Sequence, residues 1–214
     1  MNQLQAFATF SQSGEHVYRT STYIQWGTSS RSLGSCLLLN PGSATLFRER
    51  PAPNQSIMGQ ITLDPTMQQL VKLVTEIYQT QSLDGRLTIY NLFALQNPRS
   101  SEAIPAFEKL VASGVATIKE QLVPIQELQQ HPWILLGWGC LTKASWKSLP
   151  LLKQAWLQQI AASGIPFFGK KCSNGKDYYH PCPQLYATRD VILRDLVNEH
   201  AHSVLKRDKA AFRQ

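Results

Sequence analysis

Apolar positions along this chain fall into two alternating patterns, short unbroken runs and longer stretches spaced three and four apart. "SCLLL", Ser35 to Leu39, is a near-continuous apolar run of strand length, as expected of a strand covered on both faces. In "LDPTMQQLVKLVTEIYQTQ" the residues Met67, Leu70, Val71, Val74, Ile77 and Tyr78 recur at helical spacing, behind Asp64 as N-cap and Pro65 at the first helical position. A second strand, "RLTIYNLFAL", follows the turn at Asp84-Gly85, and "AIPAFEKLVASGVATIKEQL" is amphipathic but interrupted at Gly114, one kinked helix or two short ones. "PWILLGWG" reads as the third strand, "LPLLKQAWLQQIAASG" as a helix stopped by Gly164, and "IPFFGKK" as the fourth strand. The turn-rich "SNGKDYYHPCPQLY" leads into a last helix, "TRDVILRDLVNEHAHSVLKRD", capped by Thr188. Upstream of all this, "HVYRTSTYIQW" alternates Val17, Arg19 and Ser21 with Tyr18, Thr20 and Thr22, and reads as an edge strand or hairpin.

Strands alternating with helices predict right-handed βαβ units, hence a three-layer α/β/α sandwich around a mainly parallel, four-stranded sheet. Strand order is not readable from the pattern. With 214 residues the chain fits a single α/β domain, residues 1–214, with its core at roughly 16–206 and a basic C-terminal tail, "LKRDKAAFRQ". A hydrophobic share of 43% with 16% charged residues is that of a folded domain, and no apolar run is long enough to span a bilayer. The first residues carry no basic segment followed by an apolar one, so the expected compartment is the cytosol and no membrane partner is expected.

Three of these strands end on features an apolar core does not need. The first runs into Asn40-Pro41-Gly42, the second carries Asn91, and the third finishes as Gly137-Trp138-Gly139. In parallel α/β sheets the carboxyl ends share one rim, where ligands bind. The loop after the fourth strand adds His180, stiffened by Pro181 and Pro183. Each residue also has a plain explanation: Asn40 as the start of an Asx turn, Asn91 as a partner for bent backbone, the glycines as room for helix packing. Two amides, an imidazole and the aromatics Phe47, Tyr90, Phe93, Tyr178 and Tyr179 together suit a pocket that stacks a planar heterocycle and reads its edge.

Charge and cysteines change this picture only a little. A net charge of +7 favours polyanionic partners, DNA or another nucleic acid, although a solvated basic surface also explains it. Cys36, Cys140, Cys172 and Cys182 form no CxxC pair, which argues against a zinc ribbon or a thioredoxin-type site. Two of them sit in apolar strands and read as core. Cys172 and Cys182 flank His180, but no metal and no cofactor is expected.

The ordered set "LLLNPGSA", "LDPTM", "IYNLFAL", "ILLGWG" and "YYHPCPQL" resembles the uncharacterised bacterial and phage family called domain of unknown function 1643, over roughly Tyr18 to Leu185. Gly42 stands where that family usually has serine, and its charged positions after Asp-Pro-Thr are replaced by Gln68 and Gln69. More distantly, the order of motifs is similar to the uracil-DNA glycosylase superfamily. That resemblance implies a four-stranded parallel sheet with flanking helices. It also implies a water held at Asn40, a base read at Asn91, and a leaving base supported by His180. "CPQL" lacks the usual serine, leaving Pro183 and Leu185 as the candidate wedge into DNA.

The resulting expectation is a DNA-processing protein that recognises, and in the catalytic case excises, a deaminated, damaged or modified base by N-glycosidic hydrolysis. Asn40 and His180 are the candidate catalytic residues. Pro41, Gly42, Phe47, Asn91, Phe93, Gly139 and Pro183 are the candidate substrate contacts. The alternatives are a non-catalytic nucleic-acid or nucleotide binding module and a small-molecule nucleoside or nucleotide hydrolase. Oligomeric state is not readable.

Overall fold

A computed structural model describes residues 4–46, 51–80 and 82–211, with side chains as far as residue 203. Its strands are β1 (Gln5–Ser13), β2 (His16–Trp26), β3 (Ser32–Leu38), β4 (Ser56–Ile61), β5 (Gly85–Asn91), β6 (Ile134–Leu136) and β7 (Phe167–Phe168). The helices are α1 (Pro65–Tyr78), α2 (Ser100–Ala112), α3 (Ile125–Leu128), α4 (Ser148–Ser163) and α5 (Arg189–Ala211). The α/β class is as expected, but the four-stranded, mainly parallel sheet is not. Among the described residues there is one mixed sheet of seven strands, ordered β4-β1-β2-β5-β3-β6-β7. The parallel strands β5, β3, β6 and β7 form one half of it, and β2, β1 and β4 extend it antiparallel from β5. The sequence "HVYRTSTYIQW" is thus an interior strand, and β1 lies upstream of the residue 16 at which the core is expected to begin.

Burial explains the layers. In β3, Cys36 and Leu38 pack with α1 and α5 on one face, while Leu37 and the following Leu39 pack with α2, α3 and α4 on the other. Helix α1 buries Met67, Leu70, Leu73 and Val74, each worth roughly 1.5–3 kcal/mol of transfer free energy. Its N-cap is Asp64, whose Oδ1 accepts from the Met67 amide at 2.8 Å. The interrupted amphipathic stretch resolves into α2, ending before Gly114, and a separate 3₁₀ turn at Lys119–Gln121. Gly164 ends α4 in the left-handed conformation, as its position predicts. Thr188 does not cap α5 through its side chain. Its hydroxyl donates back to the Leu185 carbonyl at 2.8 Å.

A partly buried polar chain crosses the α2–α4 side. Ser32 Oγ lies 2.7 Å from His131 Nδ1, His131 Nε2 lies 2.8 Å from the Tyr90 hydroxyl, and Tyr90 donates to Glu127 Oε1 at 2.8 Å. One neutral tautomer satisfies every member, with Nδ1 accepting and Nε2 donating. Burial lowers the His131 pKa to about 4, so the folded state takes up its proton later than the unfolded chain, whose value is 6.5. The unfolded state therefore binds more protons between those values, and stability falls as the pH is lowered through that window. His180 and His200, also lowered by burial, add to the effect with the same sign. Urea unfolding at pH 7 and pH 4.5 is expected to show a loss of roughly 1–3 kcal/mol, the solvent-screened part of the His131 ring holding it below the full shift. The loss should shrink in His131→Gln, and an equal loss in that variant would refute the assignment.

Candidate functional site

A cavity of about 450 Å³ opens at the carboxyl end of the parallel strands. Leu38 and Asn40 come to it from the end of β3, Ile89 and Asn91 from β5, and Trp138 and Gly139 from the chain after β6. Asp64, Thr66 and Met67 enter from the start of α1, and His180, Cys182 and Pro183 from the loop before α5. Asn40, Gly42, Asn91, Gly139, His180 and Pro183, singled out in the sequence, therefore share one cavity.

Other expected contacts fall elsewhere. Phe93 is 1% exposed and stacks on Phe107 at 4.5 Å between ring centroids, in the core. Tyr90 belongs to the polar chain with His131, and Tyr178 packs edge-on against Trp138. Pro41 is buried and acts through its carbonyl, which accepts from Asn97 N and Asn40 Nδ2. Phe47 and the side chains of the basic tail lie outside the described residues. Apolar aromatic surface goes to the core because burying it there is favourable. Trp138, between two glycines, also lines the cavity, but its indole is 1% exposed and donates through Nε1 to Asp177.

Asn40 is held more tightly than a lone water-binding amide. Its Nδ2 donates to Asn97 O at 2.7 Å and Pro41 O at 3.0 Å, and its Oδ1 accepts from Ser100 Oγ at 3.3 Å. The amide staples two loops and keeps one acceptor lone pair, and the expected Asx turn does not form, since Oδ1 accepts from the Ser100 hydroxyl and not from the backbone just ahead of it. Asn91 continues the face of Leu87 and Ile89 toward α1, and its Oδ1 is buried without a partner.

His180 sits in a loop pinned on several sides. Gly139 N donates to Tyr178 O at 2.8 Å, Tyr179 N to Lys170 O at 2.7 Å, and Cys140 is disulfide-bonded to Cys172. Asp177 anchors the loop by accepting from Trp138 Nε1 at 2.8 Å and from Lys153 Nζ at 2.6 Å. Pro181 packs where a Cβ on Gly137 would be, 2.7 Å from its Cδ, so that glycine sets the approach of the His-Pro segment. The Cys182 backbone engages His180 Nδ1, with N at 3.2 Å and O at 3.0 Å, leaving Nε2 as the ring atom for a ligand. Burial holds the imidazole below its ordinary pKa, partly offset by Cys182 and Asp64, so the ring is neutral near pH 7. Cys172, spent in the disulfide, has no thiolate to offer a metal beside His180.

Two groups escape the sequence reading. Asp64 caps α1 with Oδ1, but Oδ2 faces Gly42, where an added Cβ would stand 3.6 Å away, and its charge is felt by Arg19, His180 and Cys182. Arg19 lines the cavity at 4% exposure, and its Nε and Nη1 have no hydrogen-bond partner among the described residues. The cause is a β-bulge. Thr9 pairs with Ser21 but Phe10 pairs with Arg19, so Thr20 is an extra residue that turns Arg19 onto the buried face of Ala6, Ala8 and Phe10. Arg19 N also donates to Ala94 O at 2.9 Å, which carries this part of β2 past the end of β5 to the cavity rim.

No family model matches the chain, and neither a curated protein nor a solved structure matches it. No helix among the described residues is long and apolar enough to cross a membrane. A larger hollow of about 630 Å³ runs along β7 and α5, where Lys170 is paired with Asp195 at 3.3 Å. The buried orphaned atoms of Arg19 and Asn91 belong to the first cavity and not to this one.

Proposed function

We propose that this is a cytosolic DNA-processing protein that hydrolyses the N-glycosidic bond of a deaminated, damaged or modified base, with a uracil-DNA glycosylase-like core. The observation that carries the reading is the convergence of Asn40, Asn91 and His180, from three separate segments, on one cavity. The resemblance of the motif order and the four adjacent parallel strands with flanking helices support the same reading.

Hydrolysis passes through an oxocarbenium-like sugar and needs a held water on one side and charge stabilisation on the other. Asp64 Oδ2 and the free lone pair of Asn40 Oδ1 orient the water, and Asp64 takes its proton. Asn91 reads the base edge, and His180 Nε2 meets the leaving base. Pro183 lines the mouth, while Leu185 and Tyr186 beside it are 66% and 74% exposed, apolar surface suited to wedging a base step open. The net charge of +7 supports a polyanionic substrate.

Incubation with end-labelled oligonucleotides carrying uracil, hypoxanthine, mismatched or alkylated bases, followed by alkaline cleavage, is expected to reveal abasic sites on at least one substrate. Absence of cleavage throughout would sink the catalytic reading. One observation favours a binding module instead: both Asn40 amide hydrogens are already committed to carbonyls. Under that second reading the same oligonucleotides bind in a salt-sensitive way and no base is released.

A further inference from the structure

We propose that Arg19 is a catalytic residue of this cavity, its guanidinium receiving the negative charge that develops on a carbonyl oxygen of the departing base. The proposal deepens the hydrolytic reading above and rests on it. It commits the site to bases that present a lactam edge, a ring N–H beside a carbonyl.

Burying a guanidinium whose N–H groups meet no acceptor costs several kcal/mol, so such a group persists where a ligand completes it. Arg19 Nε and Nη1 are in that state, and Arg19 is the one Lys or Arg among the residues lining the cavity. Asp64 is close enough for its charge to act on Arg19, yet the ion pairs formed among the described residues do not include the two. The cation is therefore held near a carboxylate but not consumed by it. Desolvation lowers the Arg19 pKa only to about 10, so it is charged at neutral pH, whereas the buried His180 is not. The permanent positive charge of the site is thus Arg19. Asn91 Oδ1 supplies the complementary orphan, an acceptor waiting for an N–H.

The step balances without a co-reactant. The C1′–N bond breaks with both electrons leaving on the base, and the charge spreads to the carbonyl oxygen facing Arg19. The water oxygen bonds C1′, its proton passes to Asp64, and solvent later protonates the base. Such preorganised charge acts most strongly where the leaving group is poorest.

The test uses the full chain on duplexes carrying one deoxyuridine or one 5-fluorodeoxyuridine, whose base is the better leaving group. Arg19→Gln is expected to slow uracil release by about 10²–10³-fold. It should slow 5-fluorouracil release distinctly less, with Arg19→Lys recovering part of the loss. Arg19→Met should melt at or above the wild-type temperature, because it removes an uncompensated buried charge. Equal slowing of both substrates, or undiminished release, overturns the role of Arg19 while leaving hydrolysis intact. A lower melting temperature in Arg19→Met marks the residue as structural and also overturns it. Failure of the wild type to release either base overturns this inference, and hydrolysis falls with it when the full oligonucleotide panel above is also left intact.

Discussion

Replacing Asp64 with Asn is expected to lower the rate of the proposed base release by about 10²–10⁴-fold while leaving the protein folded. The two oxygens of this side chain do different things. Oδ1 accepts from Met67 N and caps α1, a task that asparagine performs about as well. Oδ2, beside Gly42, gives the cavity its carboxylate, and an amide there neither takes a proton from water nor balances the charge on Arg19. Single-turnover release and thermal melting, measured on the same preparation, separate the two roles. A rate within twofold of wild type would remove Asp64 from the mechanism. A melting temperature reduced by many degrees would mean that the cap, and not the chemistry, had been disturbed.

The largest loss of stability is expected from Gly34→Ala. Gly34 lies in β3 at φ +147°, a conformation that side chains rarely adopt, and the Trp133 indole occupies the space a Cβ would need. Backbone strain of about 1–3 kcal/mol and overpacking of similar size add to roughly 2–6 kcal/mol. Trp133 cannot retreat easily, since it packs against both Phe168 and His200. Urea titration should show the midpoint falling with an unchanged slope. An unchanged midpoint would mean that the β3–Trp133 packing is looser than described.

Residues covered on both faces were the legible ones. "SCLLL" and "WILL" read as interior strands because burial above and below leaves no polar alternation, and the start of α1 at Asp64 and the end of α4 at Gly164 were announced chemically. Strands β1 and β4 have one half-exposed face each, so Thr9, Gln12 and Gln60 dilute their pattern and both went unread, while β2 read only as an edge strand or hairpin. Asn40, Asn91 and His180 stood out as polar groups at strand ends and in a stiffened loop. Arg19 did not. Strict alternation put it on the face of Ser21, and only the extra residue at Thr20 reverses that. Asp64 was hidden by sufficiency, since capping already accounted for it. The Cys140–Cys172 pairing depends on two loops meeting across the sheet end, which spacing alone cannot reveal.

The most direct measurement is a crystal structure of the Asp64→Asn protein bound to a duplex that the wild type cleaves. The target nucleotide is expected turned out of the stack, its base in the cavity with an N–H on Asn91 Oδ1 and a carbonyl on Arg19. DNA seated elsewhere, with this cavity holding no base, would contradict it.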